Sequence, residues 1–120
     1  MKMNQLTALQ ELAEKVEAGE IGAGLNTSSC FSTGDNADMD AVDAYHGSLD
    51  AAKSLQQTLG KTSQYSIVTD PTCLKVTVCW WPDGLGGPEF YAEAWGMTDQ
   101  PSRAWLLAHI RVRIAELETK

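Results

Sequence analysis

Residues 74–96 read LKVTVCWWPDGLGGPEFYAEAWG, two alternating runs on either side of an interruption rich in glycine and proline. A period of two sends successive side chains to opposite faces of a strand. Leu74, Val76, Val78 and Trp80 therefore face one way, and Lys75, Thr77, Cys79 and Trp81 the other. In the second run Phe90, Ala92 and Ala94 oppose Tyr91, Glu93 and Trp95. One face is aliphatic, with alanines small enough for a helix to lie close; the other mixes aromatic and polar groups. Glycine loops that cradle phosphate lead into a helix N-terminus, whereas PDGLGGP leads into a strand, so it reads as a hairpin loop.

The neighbouring segments fit around this hairpin. YSIVTD, residues 65–70, also alternates, and the Asp70–Pro71 turn joins it to the strand at Leu74. Three consecutive strands with short links imply an antiparallel meander. Upstream, Ser48 suits the N-cap of a helix over LDAAKSLQQTL, with Leu49, Ala52, Leu55 and Leu59 on one stripe and Gly60 as its stop. Near the start, Leu6, Leu9, Leu12, Ala13 and Val16 recur at helical spacing up to the Ala18–Gly19 region. After Thr98 and Asp99, with Pro101 in the first turn, PSRAWLLAHIRVRIAELE predicts a final helix.

That helix is apolar on two sides. Leu106, Leu107, Ile110, Ile114 and Leu117 form one stripe and Trp105, Ala108, Val112 and Ala115 another, leaving His109, Arg111, Arg113 and Glu116 as the polar remainder. Such a helix is either sandwiched within its domain or buried between subunits. Residues 20–47 read as a Gly/Ser/Asp-rich loop with a helical turn around Met39–Asp43. The expectation is one α+β domain over residues 1–120, with an N-terminal helix at 1–19, the loop at 20–47, and a helix, three strands and a C-terminal helix in 48–120. The element order is α-α-β-β-β-α, a three-stranded antiparallel meander sandwiched by helices.

Composition narrows the function classes. Hydrophobic residues make up 43% and charged residues 21% of the 120, which is ordinary for a folded domain with one core. Nine Lys and Arg against sixteen Asp and Glu leave a net charge of -7, so binding to a nucleic-acid polymer is disfavoured. No apolar run approaches a membrane span, and the N-terminal segment has no uninterrupted apolar stretch of the kind a signal peptide needs. Cys30, Cys73 and Cys79 form neither a C-x-x-C pair nor an even set, and they read as buried free thiols in a reducing cytoplasm.

The order of GSLDAAKSL, the strands, AEAW and TDQPSRAWLLAHIRVRIAEL resembles the phage ABA-sandwich domain family, small accessory proteins of tailed bacteriophages and prophages. The likeness runs from Leu6 to Leu117 and is strongest over Ser48 to Leu117. Its matching positions are Ser48, Leu49, Asp50, Ala51 and Ala52, then Ala92 and Ala94, then Thr98, Pro101 and Ala104. These are capping and packing positions, so the resemblance implies a fold, a phage origin and a host-cytoplasmic location, and no chemistry. Thr98 and Pro101 are separated here where the family has them adjacent, and the 26–43 loop does not follow its pattern.

Candidate sites are few. Asp35, Asp38, Asp40 and Asp43 lack the glycine and terminal glutamate of an EF-hand register and read as a solvated acidic loop, so no metal and no other cofactor is expected. His46, His109, Ser28, Ser29 and Cys30 carry no nucleophile signature, so no catalytic residue is assigned; His109 reads as a surface or interface residue. Trp81, Tyr91, Trp95 and Trp105 are the candidate interaction surface, since such aromatics are enriched at binding hot spots. The leading expectation is a non-enzymatic interaction module, self-associating, that binds a host or phage protein. The alternative is a sponge for a small nucleotide signal between subunits, with Arg103, Arg111 or Arg113 on phosphate and Trp81 or Trp95 stacking.

Overall fold

A computed structural model describes residues 2–18, 43–45, 47–57, 59, 62–69, 71–96 and 101–119. The fold is α+β in the order α-α-β-β-β-α: α1 (Lys2–Ala18), α2 (Leu49–Gln57), β1 (Ser63–Thr69), β2 (Leu74–Trp80), β3 (Phe90–Gly96) and α3 (Pro101–Thr119). A short helical turn at residues 43–45 precedes α2. Of the turn expected around Met39–Asp43, only Asp43 is among the described residues.

The three strands form one antiparallel sheet in the order β1-β2-β3. Tyr65 lies opposite Val78 and Ile67 opposite Val76 on one side of β2, while Ala94 and Ala92 lie opposite the same two valines on the other. Opposed residues share a face, so the core face carries Tyr65, Ile67, Leu74, Val76, Val78, Trp80, Phe90, Ala92 and Ala94. The turn between β2 and β3 closes through Gly84 N–H to Trp81 C=O and Gly87 N–H to Gly84 C=O. Gly84 has φ 94°, a conformation that disfavours any side chain, and this is why glycine serves there.

Helix α3 lies across the core face of β2 and β3, and α1 and α2 pack on the side of α3 turned away from the sheet. The last helix is therefore the middle layer. Ala104 to Ile110 and Val112 are all buried, Leu106, Ala108, Ile110 and Val112 completely. The small side chains of Ala92 and Ala94 allow the helix to approach β3. Leu9, Leu12 and Val16 of α1 and Ala51, Ala52 and Leu55 of α2 complete one hydrophobic cluster with Leu59, Tyr45 and the sheet. Of the two placements open to a doubly apolar helix, the one inside the domain is observed.

Several expectations on packing are corrected. Leu49 begins α2 on its solvent side, 45% exposed, and the buried stripe is Ala51, Ala52, Leu55 and Gln56. His109 and Arg113, assigned to a polar face, are buried, and the Arg113 guanidinium lies 6.0 Å from the ring centre of Trp80 on the core face of the sheet. Cys73 and Cys79 are half-buried free thiols and not core residues, while Cys30 lies outside the described residues.

Polar contacts tie the layers together. The Trp105 indole N–H donates to Gln56 Oε1 at 3.0 Å inside the core, joining α3 to α2. The Ser48 hydroxyl accepts the Ala51 N–H at 3.0 Å, the N-cap bond expected of that residue. Removing this cap in Ser48→Ala should cost about 1 kcal/mol. Ile110→Ala, which empties a site closed on all sides, should cost about 2–5 kcal/mol. Chemical denaturation of the two variants checks both values and their order.

Candidate functional site

The second face of the sheet carries Gln64, Ser66 and Val68 from β1, Lys75, Thr77 and Cys79 from β2, and Tyr91, Glu93 and Trp95 from β3. None of the helices among the described residues covers it. Val68 is 59% exposed, Tyr91 53% and Trp95 60%. The alternation that buries Val76 and Val78 places these side chains outward, and the strands have no freedom to reverse one without reversing all.

A small network fixes the aromatic side of this face. The Tyr91 hydroxyl donates to Glu93 Oε2 at 2.7 Å, and Lys75 Nζ stands 3.4 Å from the same oxygen. Lys75 Nζ also lies 5.5 Å from the centre of the Trp95 ring, within cation–π range. Donation to Glu93 raises the Tyr91 pKa, and the same bond, followed by Lys75, lowers that of Glu93. At neutral pH the face therefore presents a phenol, a carboxylate and an ammonium, held in fixed relation. The exposed ion pair adds little to stability; its effect is to limit the rotamers of Tyr91 and Trp95.

Beside this network Gln64, Tyr65, Ser66, Thr77 and Cys79 line a shallow depression of about 100 Å³. Burial, then the neighbouring Glu89, raises the Cys79 pKa, so its sulfur stays a thiol and a poor nucleophile. None of the residues that line the depression is an activated group.

The four aromatic residues singled out from sequence separate into three settings. Tyr91 and Trp95 share the open face. Trp81 is half-buried just beyond β2; its N–H donates to Thr62 C=O at 3.0 Å, and its own C=O accepts the Thr62 hydroxyl at 2.7 Å and the Gly84 N–H. Trp105 is 4% exposed, with its ring centre 4.3 Å from that of Tyr65. It belongs to the core, so the surface expected from all four reduces to Tyr91 and Trp95, with Val68 and Lys75 as members the sequence reading did not include.

The three arginines named as phosphate contacts are each engaged within the fold. Arg103 donates through Nε and Nη2 to Tyr45 C=O, both at 3.2 Å, with its guanidinium 4.3 Å from the Tyr45 ring centre. Arg111 donates to Glu93 C=O at 2.9 Å and pairs with Glu17 of α1 at 2.9 Å. Arg113 is buried; its Nε donates to His109 Nε2 at 2.7 Å, and its guanidinium is 6.0 Å from the Trp80 ring centre. Burial pushes its pKa down to about 10, which leaves it charged at neutral pH.

A donor on Nε2 requires that nitrogen to be unprotonated, so His109 is the neutral Nδ1–H tautomer. Burial, and then the Arg113 charge, hold its pKa well below 6.5. The expected calcium-type group Asp35, Asp38 and Asp40, and with it His46, Ser28 and Ser29, lie outside the described residues; Asp43 is exposed. Among the described residues no helix is long and apolar enough to cross a membrane. No family model, curated protein or solved structure matches the chain.

The His109 environment fixes a pH dependence. In the unfolded chain this imidazole takes up a proton near its ordinary value, and in the folded chain it does not, so the unfolded state binds more protons as pH falls. The stability held above the unfolded value of 6.5 is lost progressively as pH drops below it toward the depressed folded value. His109→Gln should be less stable at pH ~7.5 yet flatter between about pH 5 and 7 than the parent chain. Thermal melts of the two proteins across that range give the comparison.

Proposed function

We propose that this chain is a non-enzymatic interaction module that engages a partner protein through the open face of its sheet. The observation that carries the reading is the exposure of Trp95, Tyr91 and Val68 together on one face, with Lys75 and Glu93 fixing the two rings. Several large apolar side chains exposed on one sheet face mark a surface suited to a partner more than to water alone. Rings already held in place lose little freedom on binding. The partner is apolar at its centre, to cover the rings, and basic at its margin, to suit a chain of net charge -7.

The sequence resemblance supplies the setting: an accessory protein of a bacteriophage or prophage, acting in the host cytoplasm on a host or phage protein, with modulation of host defence as its use. The nucleotide-sponge reading lacks a comparable observation, because Arg103, Arg111 and Arg113 are each engaged within the fold.

Immobilised wild-type chain should retain a defined host or phage protein from an extract of infected cells. The Tyr91→Ser/Trp95→Ser variant should bind that purified protein at least about tenfold more weakly. Its melting temperature should stay within a few degrees of the parent, since both side chains are mainly in water. Equal binding by the variant, or a shift of the wild-type melt with cyclic dinucleotides and no protein captured, would sink the proposal.

A further inference from the structure

The sheet has two edges, and the fold treats them differently. In the β2–β3 register Leu74, Val76, Val78 and Trp80 lie opposite Gly96, Ala94, Ala92 and Phe90. The Trp81 N–H bond to Thr62 C=O continues the β1–β2 ladder. Hydrogen-bonded pairs alternate in an antiparallel ladder. The even-numbered residues of β1 therefore direct their N–H and C=O groups to β2, and Tyr65, Ile67 and Thr69 direct theirs outward. By the same alternation the outward groups of β3 belong to Tyr91, Glu93 and Trp95. The outward C=O of Glu93 is occupied by Arg111, whose guanidinium is held in turn by Glu17. A side chain thus guards the β3 edge.

Among the described residues nothing comparable guards β1. Its sequence, SQYSIVT, has no charge and no proline, the usual means of blunting an edge. All its residues beyond Ser63 are exposed. The outward groups of Tyr65, Ile67 and Thr69 meet no hydrogen-bond partner among the described residues. Helix α3 packs chiefly on β2 and β3, so Tyr65 and Ile67 stay 45% and 37% exposed although they point to the core side of the sheet.

We propose that the occupant of this edge is the β1 strand of a second copy, paired antiparallel about a twofold axis at Ser66. That register is the one in which the whole strand Ser63–Thr69 pairs with itself. It sets Tyr65 opposite Ile67 of the second copy on the core side, an aromatic–β-branched pair, and Gln64 opposite Val68 on the open side. The outward groups of Tyr65 and Ile67 then bond each other across the axis. Two chains of net charge -7 repel, and β1 is a strand on which they meet without opposing any like charge. The product is a continuous six-stranded sheet whose open face carries two copies of the Tyr91–Trp95 cluster. This inference does not depend on the partner reading above, which concerns the open face of the sheet and not the backbone edge of β1.

The test uses the full chain at a range of concentrations in analytical ultracentrifugation. The parent is expected to sediment with twice the mass of one chain. Ser66→Lys, a substitution at an exposed position, brings two ammonium groups together at the axis and should weaken self-association by roughly a hundredfold or more. Its circular dichroism and melt should match those of an isolated parent chain. Mixing Ser66→Lys with Ser66→Glu should restore a mixed dimer that neither forms alone. A parent that stays monomeric at high concentration would overturn the proposal. So would a Ser66→Lys variant that dimerises like the parent, or a mixture that does not reassociate.

Discussion

Helix α3 is buried from Ala104 to Ile110 between the sheet and the other two helices, and the positions of those elements follow from that burial. The sheet supplies Val76, Val78 and Ala94 on one side; α1 and α2 supply Leu9, Leu12, Ala52 and Leu55 on the other. Burying a large aliphatic side chain contributes roughly 1.5–3 kcal/mol. The completely buried Leu106, Ile110 and Val112 thus weigh heavily in a domain of this size. The polar groups left on such a helix need partners inside the protein. His109 accepts from Arg113, Trp105 donates to Gln56, and Arg111 reaches across to Glu93.

Enclosing one helix also determines what stays uncovered. The described helices all gather about α3, so among the described residues the three-stranded sheet is covered by helix on one face only, and there more fully over β2 and β3 than over β1. The aromatic residues on the outer face are therefore a consequence of where the helices lie. Their network with Lys75 and Glu93 orders them without hiding them. This same distribution makes one sheet edge a meeting place for Arg111 and, among the described residues, leaves the other open.

Much of this was legible because the signals were periodic. The alternation in LKVTVCW and FYAEAWG, with glycines between, admits little besides a hairpin, and two apolar stripes on the last helix demanded cover on both sides. Pattern alone does not say what provides the cover. Arg113 and His109 look like a solvent face until they pair with each other inside the core with Trp80 beside Arg113, and Trp105 looks available until Gln56 and Tyr65 are beside it. Leu49 erred in the opposite direction, being apolar and yet at the start of a helix whose buried side begins two residues later. The contact of Arg111 with the β3 backbone had no sequence signal, since it depends on a long side chain reaching a carbonyl on another element.

The central layer is also the last one to be synthesised. Glu17 and Arg111 are joined by a contact that spans most of the chain, and α1 has little to pack against until α3 exists. A ribosome building this protein holds the apolar faces of α1, α2 and the sheet exposed until residues 101–119 have emerged. Domains whose contacts are distant in sequence close slowly and present sticky surfaces meanwhile. A ribosome stalled before Pro101 would leave the nascent chain with an unfinished core.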